Sequence, residues 1–422
     1  MKEKILETLE EQKSELLSFT KRLIEVPTEN PPGKSYKECI YLIEKELNTF
    51  NLETEIIEIE TPSGILNPRY ALISYFGEGD NILYFHGHYD VVPASDMAQF
   101  VPLIKEGKLF GRGASDMKGG LAAMIYAVKT LKLCDFKCDG KICLVIVPDE
   151  ETGGKYGTKY LFDKGLIKRS VGMLMPEPSG LGIWNACRGA ISLLIKIKGE
   201  SVHVTLEHKG INAFENMIKV VNELLKLKRQ VEKRRTKYEV SKGVSRNSIL
   251  MLGGYTGGGI NFNIVPDEFS FSVDRRINPE ENLKEERALL FDTINRCKNY
   301  GIELNTQILQ EGESAGIKNY HPITKILSST VKEITKKGPS ISLCPGLLET
   351  RYYIKNGIPA LAFGPGLLSV SHGPDEFVNI EDLYKCTAIY ALTAVKLLSK
   401  RKNYHNHQDT KTKKEKVKER DK

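Results

Sequence analysis

The chain has 422 residues, 41% of them hydrophobic and 27% charged, and a net charge of +7, which indicates a soluble globular protein of at least two domains. It has no apolar run of about 18 residues that could cross a membrane, and its charged N-terminus lacks a signal-peptide core, so we expect a cytoplasmic protein. The eight cysteines are scattered without a Cys-x-x-Cys pair, which favours buried thiols over disulfides or a cysteine nucleophile.

The first part of the chain alternates between helical and strand-like patterns. Apolar residues at helical spacing predict one helix that ends near Pro27 and a second helix over residues 36–47. The next predicted elements are strands at 53–60, 70–76, 81–85, 141–147 and 171–175, with a helix at 117–133. This alternation predicts a three-layer α/β domain around a mainly parallel sheet.

The pattern changes after about Trp184. A strand, a helix, two strands, a helix and a strand are predicted at 190–198, 212–230, 248–252, 269–273, 283–300 and 302–309. This order is that of the split βαβ, or ferredoxin-like, arrangement. We therefore predict an α+β domain at 187–313, inserted into a first domain that is formed by 1–186 and 314–400.

Residues 401–422 differ in composition from the rest of the chain. They contain nine Lys or Arg and four Asp or Glu, so this segment carries +5 of the net charge and leaves +2 for the remainder. Because the segment has little apolar content, we predict a disordered, solvated tail and disfavour a nucleic-acid-binding role.

The segment His-Gly-His-Tyr-Asp at residues 86–90 directly follows the strand-like run at 82–85. In open α/β sheets, binding sites form at the carboxyl ends of strands. His88 and Asp90 lie two residues apart and share a face of an extended chain, and a carboxylate in that place can orient a metal-bound imidazole. A structural role for the two histidines is the alternative, and this segment alone does not decide between them.

Three acids follow in places where the predicted fold should converge. Asp116 lies in the glycine-rich turn 111–120, where its negative charge suits a bound cation better than a phosphate; the alternative is a helix N-cap. Glu150 and Glu151 come just after a buried strand. Because adjacent side chains cannot share a face, one can bind a metal while the other acts as a base, unless both are simply solvated.

Two further segments each add one candidate ligand. Glu177 lies in a proline-containing turn after the strand at 171–175, and His372 follows the apolar run 358–363. The full set of candidates is two imidazoles and three carboxylates: His88, Asp116, Glu151, Glu177 and His372. Nitrogen and oxygen donors without thiolate suit zinc, cobalt or manganese, and five such side chains fit two ions if one carboxylate bridges them.

These segments resemble, in order and spacing, the motifs of the co-catalytic zinc amidohydrolase and peptidase family of acetylornithine deacetylase, succinyl-diaminopimelate desuccinylase, aminoacylase and carboxypeptidase G. The matching motifs lie at 87–93, 111–120, 149–153, 177–179 and 372–374, and the resemblance covers roughly residues 10–398. It implies two divalent metal ions, with zinc favoured and cobalt or manganese as alternatives. His88, Asp116 and Glu177 would hold one ion, and Asp116, Glu151 and His372 the other, so that Asp116 bridges.

The resemblance also implies roles outside the ligand set. Asp90 would orient His88, and Glu150 would be the general base that takes a proton from a water activated by the two metals and returns it to the leaving amine. The inserted domain would be a dimerisation or lid domain. From it, His203 of a second subunit would stabilise the oxyanion.

Substrate contacts are implied for Asn263, Arg276 and Arg351, of which an arginine would bind the substrate carboxylate. The chain departs from the family in two segments. Family members often have Thr-Asp before the last arginine, where this chain has Leu-Glu-Thr-Arg at 348–351. The loop 93–110 looks short and lacks the family's usual tryptophan. Both segments border the expected substrate pocket, so these departures leave the substrate open.

The function that the resemblance implies is metal-dependent hydrolysis of the amide bond of an N-acyl amino acid, of the acetylornithine deacetylase or succinyl-diaminopimelate desuccinylase type, by a homodimer. A metallo-carboxypeptidase or dipeptidase with the same centre is the alternative. A non-catalytic dimeric binding protein ranks below both, because the ligand set and Glu150 are intact.

Overall fold

The computed structural model describes residues 1–65, 67–137 and 139–399, so the predicted basic tail and Cys138 lie outside the described residues. Among the residues described, no helix combines the length and hydrophobicity that crossing a membrane requires. Every cysteine in this part of the chain is a buried free thiol, in agreement with the sequence-based expectation.

The predicted helices and strands occur in the predicted order, and further helices and strands lie among them. The helices are α1 (Lys2–Glu25), α2 (Tyr36–Asn48), α3 (Lys118–Leu133), α4 (Thr158–Asp163), α5 (Ala213–Val231), α6 (Leu283–Lys298), α7 (Pro322–Thr335), α8 (Thr350–Lys355) and α9 (Ile380–Leu398). The strands are β1 (Thr54–Ile59), β2 (Arg69–Glu78), β3 (Ile82–His88), β4 (Leu103–Lys105), β5 (Lys108–Phe110), β6 (Gly140–Val147), β7 (Gly172–Met175), β8 (Ile183–Cys187), β9 (Gly189–Lys198), β10 (Ile249–Gly258), β11 (Glu268–Ile277), β12 (Leu304–Gly312), β13 (Ala315–Gly316), β14 (Ile341–Cys344), β15 (Ala360–Ala362) and β16 (Phe377–Asn379).

The largest sheet has nine strands within the described residues, in the order β1-β2-β6-β3-β7-β15-β8-β13, with β14 also paired to β8. Its centre, β6-β3-β7-β15, is parallel, whereas β1 and β2 add antiparallel strands at one side. Successive residues of β3 face opposite layers: Leu83 and Phe85 pack in a core with α1, α3 and α9, and Tyr84 packs in a core with α4 and α8. The predicted three-layer α/β architecture is confirmed.

A second sheet has the order β10-β11-β9-β12 and is antiparallel throughout. Its apolar face shares a core with α5 and α6. This is the strand order expected for the predicted split βαβ arrangement. The strands that flank it in the chain, β8 and β13, both belong to the large sheet, so the α+β unit is an insertion.

A small sheet of β16, β5 and β4 was not foreseen from the sequence. Phe377–Asn379 pairs antiparallel with Lys108–Phe110, which precedes the glycine-rich turn. The chain that follows His372 therefore runs beside the chain that leads to Asp116. The pairing joins segments more than 260 residues apart, and short strands of this kind have too weak a local pattern to predict.

Candidate metal centre

The predicted ligands meet at the carboxyl edge of the parallel strands. His88 is the last residue of β3, Glu150 and Glu151 follow β6, and Glu177 follows β7. Because β6, β3 and β7 are neighbours that run in the same direction, these ends lie side by side. His372 reaches the same edge from the loop after β15.

Five side chains form two groups that share Asp116. One group is His88, Asp116 and Glu177; the other is Asp116, Glu151 and His372; in each, the donor atoms lie within 4.8 Å of one another. Asp116 Oδ1 is 3.5 Å from His88 Nε2, and Asp116 Oδ2 is 3.4 Å from His372 Nε2. Two donors bound tetrahedrally to one ion at about 2.1 Å would lie about 3.4 Å apart, so the spacing fits a metal between them.

Buried donor atoms without hydrogen-bond partners point to the same conclusion. Within the described residues, His88 Nε2, Glu151 Oε1 and Glu177 Oε1 are all buried and unpaired. An unpaired buried polar atom costs free energy, and an unpaired buried charge costs more. The cost is relieved if these atoms bind a cation, so the donor set fits a metal centre.

The electrostatics of the carboxylates also favour a cation. Burial raises the pKa of Glu177 well above its usual range, and the negative charge of Asp116 raises it further. Burial would also raise the pKa of Asp116, but the neighbouring imidazoles of His372 and His88 outweigh this effect and lower it. The nearby carboxylates of Asp116 and Glu151 raise the pKa of His372 to about 11. These shifts show that the buried carboxylates are stabilised by positive charge next to them, which a bound metal ion would supply.

Asp90 connects His88 with the turn that carries the two glutamates. One carboxylate oxygen lies 3.3 Å from His88 Nδ1, and the carboxylate accepts hydrogen bonds from the backbone N–H groups of Glu150 (3.2 Å) and Glu151 (3.1 Å). Asn30 Nδ2 donates a further bond of 2.8 Å. Although burial opposes ionisation, the hydrogen bond and charge of His88 outweigh it and lower the pKa of Asp90. An ionised, fully bonded carboxylate can orient an imidazole.

A cavity of about 220 Å³ adjoins this centre. Glu150 lines it beside the ligands, and its pKa is raised well above the usual range by burial and by the charges of Glu177 and Glu151, although His88 opposes the shift. A carboxylate with a raised pKa can both take and return a proton near neutral pH. Trp184, Leu348 and other apolar residues form much of the remaining wall.

The other predicted site residues lie in three different places. Arg276 lines the cavity, where Asp274 holds its guanidinium through contacts of 2.6 and 3.1 Å. Arg351 is buried, is not among the residues that line the cavity, and donates to the carbonyl of Gly153 at 2.7 Å. His203 and Asn263 are neighbours in the insertion, with Val204 N 3.0 Å from the Asn263 carbonyl, and neither lines the cavity of its own chain.

Two further buried residues were missed by sequence reasoning. Glu376 accepts hydrogen bonds from the backbone N–H of Asp116, and its partner Arg112 contacts the backbone of His372. Arg112 stands within the motif segment 111–120, and Glu376 lies two residues after the segment 372–374. An isolated acid and arginine give no sign in the sequence that they pair.

The comparisons with known proteins cover almost the entire chain. The profile of peptidase family M20/M25/M40 matches residues 84–396. A "Probable succinyl-diaminopimelate desuccinylase" of Staphylococcus aureus (strain MRSA252) is 27% identical over 93% of this chain and 99% of its own. The succinyl-diaminopimelate desuccinylase of Pelagibacter ubique (strain HTCC1062) is also 27% identical, over 89% of this chain and 97% of its own.

Solved structures share the fold at lower identity. The di-peptidase Dug1p of Saccharomyces cerevisiae has a TM-score of 0.77 at 15% identity, covering 94% of this chain and 99% of that protein. The M20 family metallo-carboxypeptidase Sso-CP2 of Sulfolobus solfataricus has a TM-score of 0.77 at 16% identity, with coverage of 90% and 98%. The family resemblance is thereby confirmed: the chain belongs to peptidase family M20/M25/M40 and is a metal-dependent amide hydrolase.

Proposed function

We propose that the protein hydrolyses the amide bond of an N-acyl amino acid, in the manner of an acetylornithine deacetylase or succinyl-diaminopimelate desuccinylase, at a centre of two divalent ions. The observation that carries this proposal is the pair of ligand groups that share Asp116. The desuccinylase relatives, which match along most of this chain, support the same reaction class. Zinc is favoured because the donors are imidazole and carboxylate, and cobalt or manganese would suit the same donors.

In the proposed reaction, residues of this chain transfer the proton and hold a metal ligand in place. When bound, the two ions would acidify a water molecule and polarise the substrate carbonyl. Glu150 takes the proton as the water attacks, and it returns the proton to the leaving amine nitrogen. Asp90 keeps His88 in place throughout, since it is held by several hydrogen bonds of its own.

We propose further that residues 187–313 form a dimerisation or lid domain, and that 1–186 with 314–400 form the catalytic domain. Phe214 (43% exposed) and Ile218 (42%) give α5 an apolar outer surface, and Phe262 in the loop after β10 is 96% exposed. Large exposed apolar side chains that cluster on one domain are typical of interaction surfaces. A homodimer through this domain would bring His203 and Asn263 to the partner's site, where His203 would stabilise the oxyanion.

Mixed dimers test the contribution of His203 in trans. Glu150→Gln and His203→Ala should each be nearly inactive alone. If His203 serves the partner's centre, one site of a mixed dimer is intact, and a 1:1 statistical mixture should regain about a quarter of wild-type activity. The measurement is turnover after co-expression of the two variants with different affinity tags.

The control mixture is Glu150→Gln with Asp116→Asn. It should regain no activity, because each chain of the mixed dimer then has a damaged metal centre of its own. Absence of recovery in the His203 mixture, with dimers present by light scattering, would show that His203 acts within its own chain or not at all.

Arg276 is the better placed of the two proposed carboxylate-binding arginines. It lines the cavity, whereas Arg351 contacts the backbone of Gly153. Asp274 contacts Nε and Nη2 of Arg276, so Nη1 would be the nitrogen that binds a substrate carboxylate. Leu347, Leu348 and Leu368 form an apolar wall of the cavity, of which Leu348 lies where the sequence departs from the family, and this wall would adjoin the acyl group or side chain of the substrate.

A substrate panel tests the proposed function directly. N-acetylornithine, N-succinyl-diaminopimelate, other N-acyl amino acids and dipeptides are assayed with zinc, cobalt or manganese. We expect kcat/KM for one N-acyl amino acid to exceed that for dipeptides by about tenfold or more, which is attainable when a buried polar site recognises the acyl group. Faster cleavage of dipeptides would establish the peptidase alternative. An absence of both turnover and metal binding would favour a binding protein.

A further inference from the structure

Two loops that carry ligands of the same proposed ion are joined by one buried ion pair. Glu376 is 1% exposed and Arg112 is 2% exposed. Glu376 Oε1 accepts the backbone N–H groups of Ser115 and Asp116, both at 3.0 Å, and its Oε2 accepts Arg112 Nη1 at 2.6 Å. The carboxylate therefore fixes the backbone that presents the shared ligand Asp116.

Arg112 extends the connection to the second loop. Its Nη2 donates to the carbonyl of His372 and its Nη1 to the carbonyl of Gly373, each at 3.2 Å. Gln99 adds bonds from Nε2 to the carbonyls of Gly373 (3.1 Å) and Pro374 (3.0 Å). The guanidinium thus binds one loop through Glu376 and the other through backbone oxygens.

His372 depends on such support more than the other ligands do. Its side chain is 49% exposed, so little packing restrains it. Its φ is 65°, in the left-handed region that is costly for a residue with a side chain. A backbone of this kind persists only when its surroundings hold it, and the contact from Arg112 to the His372 carbonyl does so directly.

We propose that Glu376 and Arg112 are positioning residues for the metal group Asp116–Glu151–His372. Their pairing sets the distance between Asp116 and His372, and with it the affinity of that group for its ion. The inference rests on the two-metal centre proposed above and assigns no direct contact with metal or substrate to either residue. Residues that orient metal ligands commonly change metal affinity by about 10–100-fold when they are replaced.

The test is Glu376→Gln, which keeps the shape but leaves one acceptor oxygen where the carboxylate has two. Either Arg112 or the pair of backbone N–H groups then loses its acceptor. We expect the affinity of the Asp116–Glu151–His372 group for its ion to fall by about 10–100-fold, and the affinity of the other group, which shares only Asp116 with it, to fall less. Calorimetric titration of the metal-free dimer with Zn²⁺ measures this, and visible absorption of the Co²⁺ form reports a changed ligand geometry. At saturating metal, KM should be unchanged.

The matched control is Glu286→Gln in the insertion. Glu286 is also buried and accepts Arg275 Nη2 at 2.8 Å, so its replacement breaks a similar buried pair far along the chain from the ligands. The melting temperature of Glu286→Gln should fall as that of Glu376→Gln does, whereas the affinities of Glu286→Gln for both metal ions should stay at wild-type values. If the two variants lost metal affinity equally, general destabilisation would explain the loss in Glu376→Gln, and the proposal would be overturned.

A second variant, Arg112→Lys, keeps a cation beside Glu376 but cannot reach both the carboxylate and the His372 carbonyl. It should lose affinity mainly for the same ion. Wild-type affinity for both ions in Glu376→Gln or in Arg112→Lys would overturn the inference. A wild-type protein that binds fewer than two ions would instead contradict the proposed centre, so the two failures are distinguishable.

Discussion

Replacing Glu150 by glutamine should lower kcat by about 10²–10⁴-fold while two metal ions remain bound, because only the proton transfer is lost. Glu150 lines the cavity but belongs to neither ligand group. The measurement is turnover of the best substrate of the panel, together with metal content after dialysis. The neighbouring Glu151→Gln is the matched control, and it should lose metal as well as activity because Glu151 is a predicted ligand.

The same variant makes a second prediction for the metal-free protein. Burial and the charges of Glu177 and Glu151 raise the pKa of Glu150 above its usual 4.5, so at neutral pH the carboxyl ionises more readily in the unfolded state and the folded state loses stability. Glu150→Gln should therefore raise the melting temperature of the metal-free protein at pH 7. The gain should shrink as the pH falls and vanish below the ordinary pKa, where the carboxyl is protonated in both the folded and the unfolded state. Loss of metal in Glu150→Gln, or normal turnover, would contradict the role of general base.

Replacing Asp116 by asparagine should abolish activity and leave at most one weakly held ion per chain. Asp116 is the member common to both ligand groups, and a neutral amide is a poor bridge between two cations. Metal content after dialysis against a weak chelator measures the result. His372→Ala is the comparison, and it should keep one ion, since the group of His88, Asp116 and Glu177 is untouched.

Two tightly bound ions in Asp116→Asn would show that this carboxylate does not bridge. Loss of both ions in His372→Ala would show instead that the two groups cannot be filled independently. Circular dichroism of each variant without metal distinguishes loss of a ligand from loss of fold.

The chemistry of the centre could be predicted from short segments because donor type and strand-end position are local properties. His88, Glu151 and Glu177 each follow an apolar run that forms a buried strand. Strand ends of a parallel sheet meet at one edge, so convergence followed from the predicted fold class. The order of strands and helices in the insertion could also be predicted, because the spacing of apolar residues that marks each element is a local property of the sequence.

Side-chain contacts between distant segments could not be predicted in this way. Arg351, which the resemblance implied to be a substrate residue, donates to the backbone of Gly153 nearly 200 residues away. Arg276 lines the cavity with its guanidinium held by Asp274. Nothing in the local pattern of either arginine distinguishes these two environments.

The sequence by itself determined the fold class, and through its family motifs the reaction class; it also predicted the types of metal ligand, because these depend on which residues stand at the ends of strands. Only the tertiary structure decided what holds the ligands in place. Glu376 and Asp116 are 260 residues apart, and they meet because β16 pairs with β5. Such a contact depends on the packing of the whole domain, which no single segment of the sequence encodes.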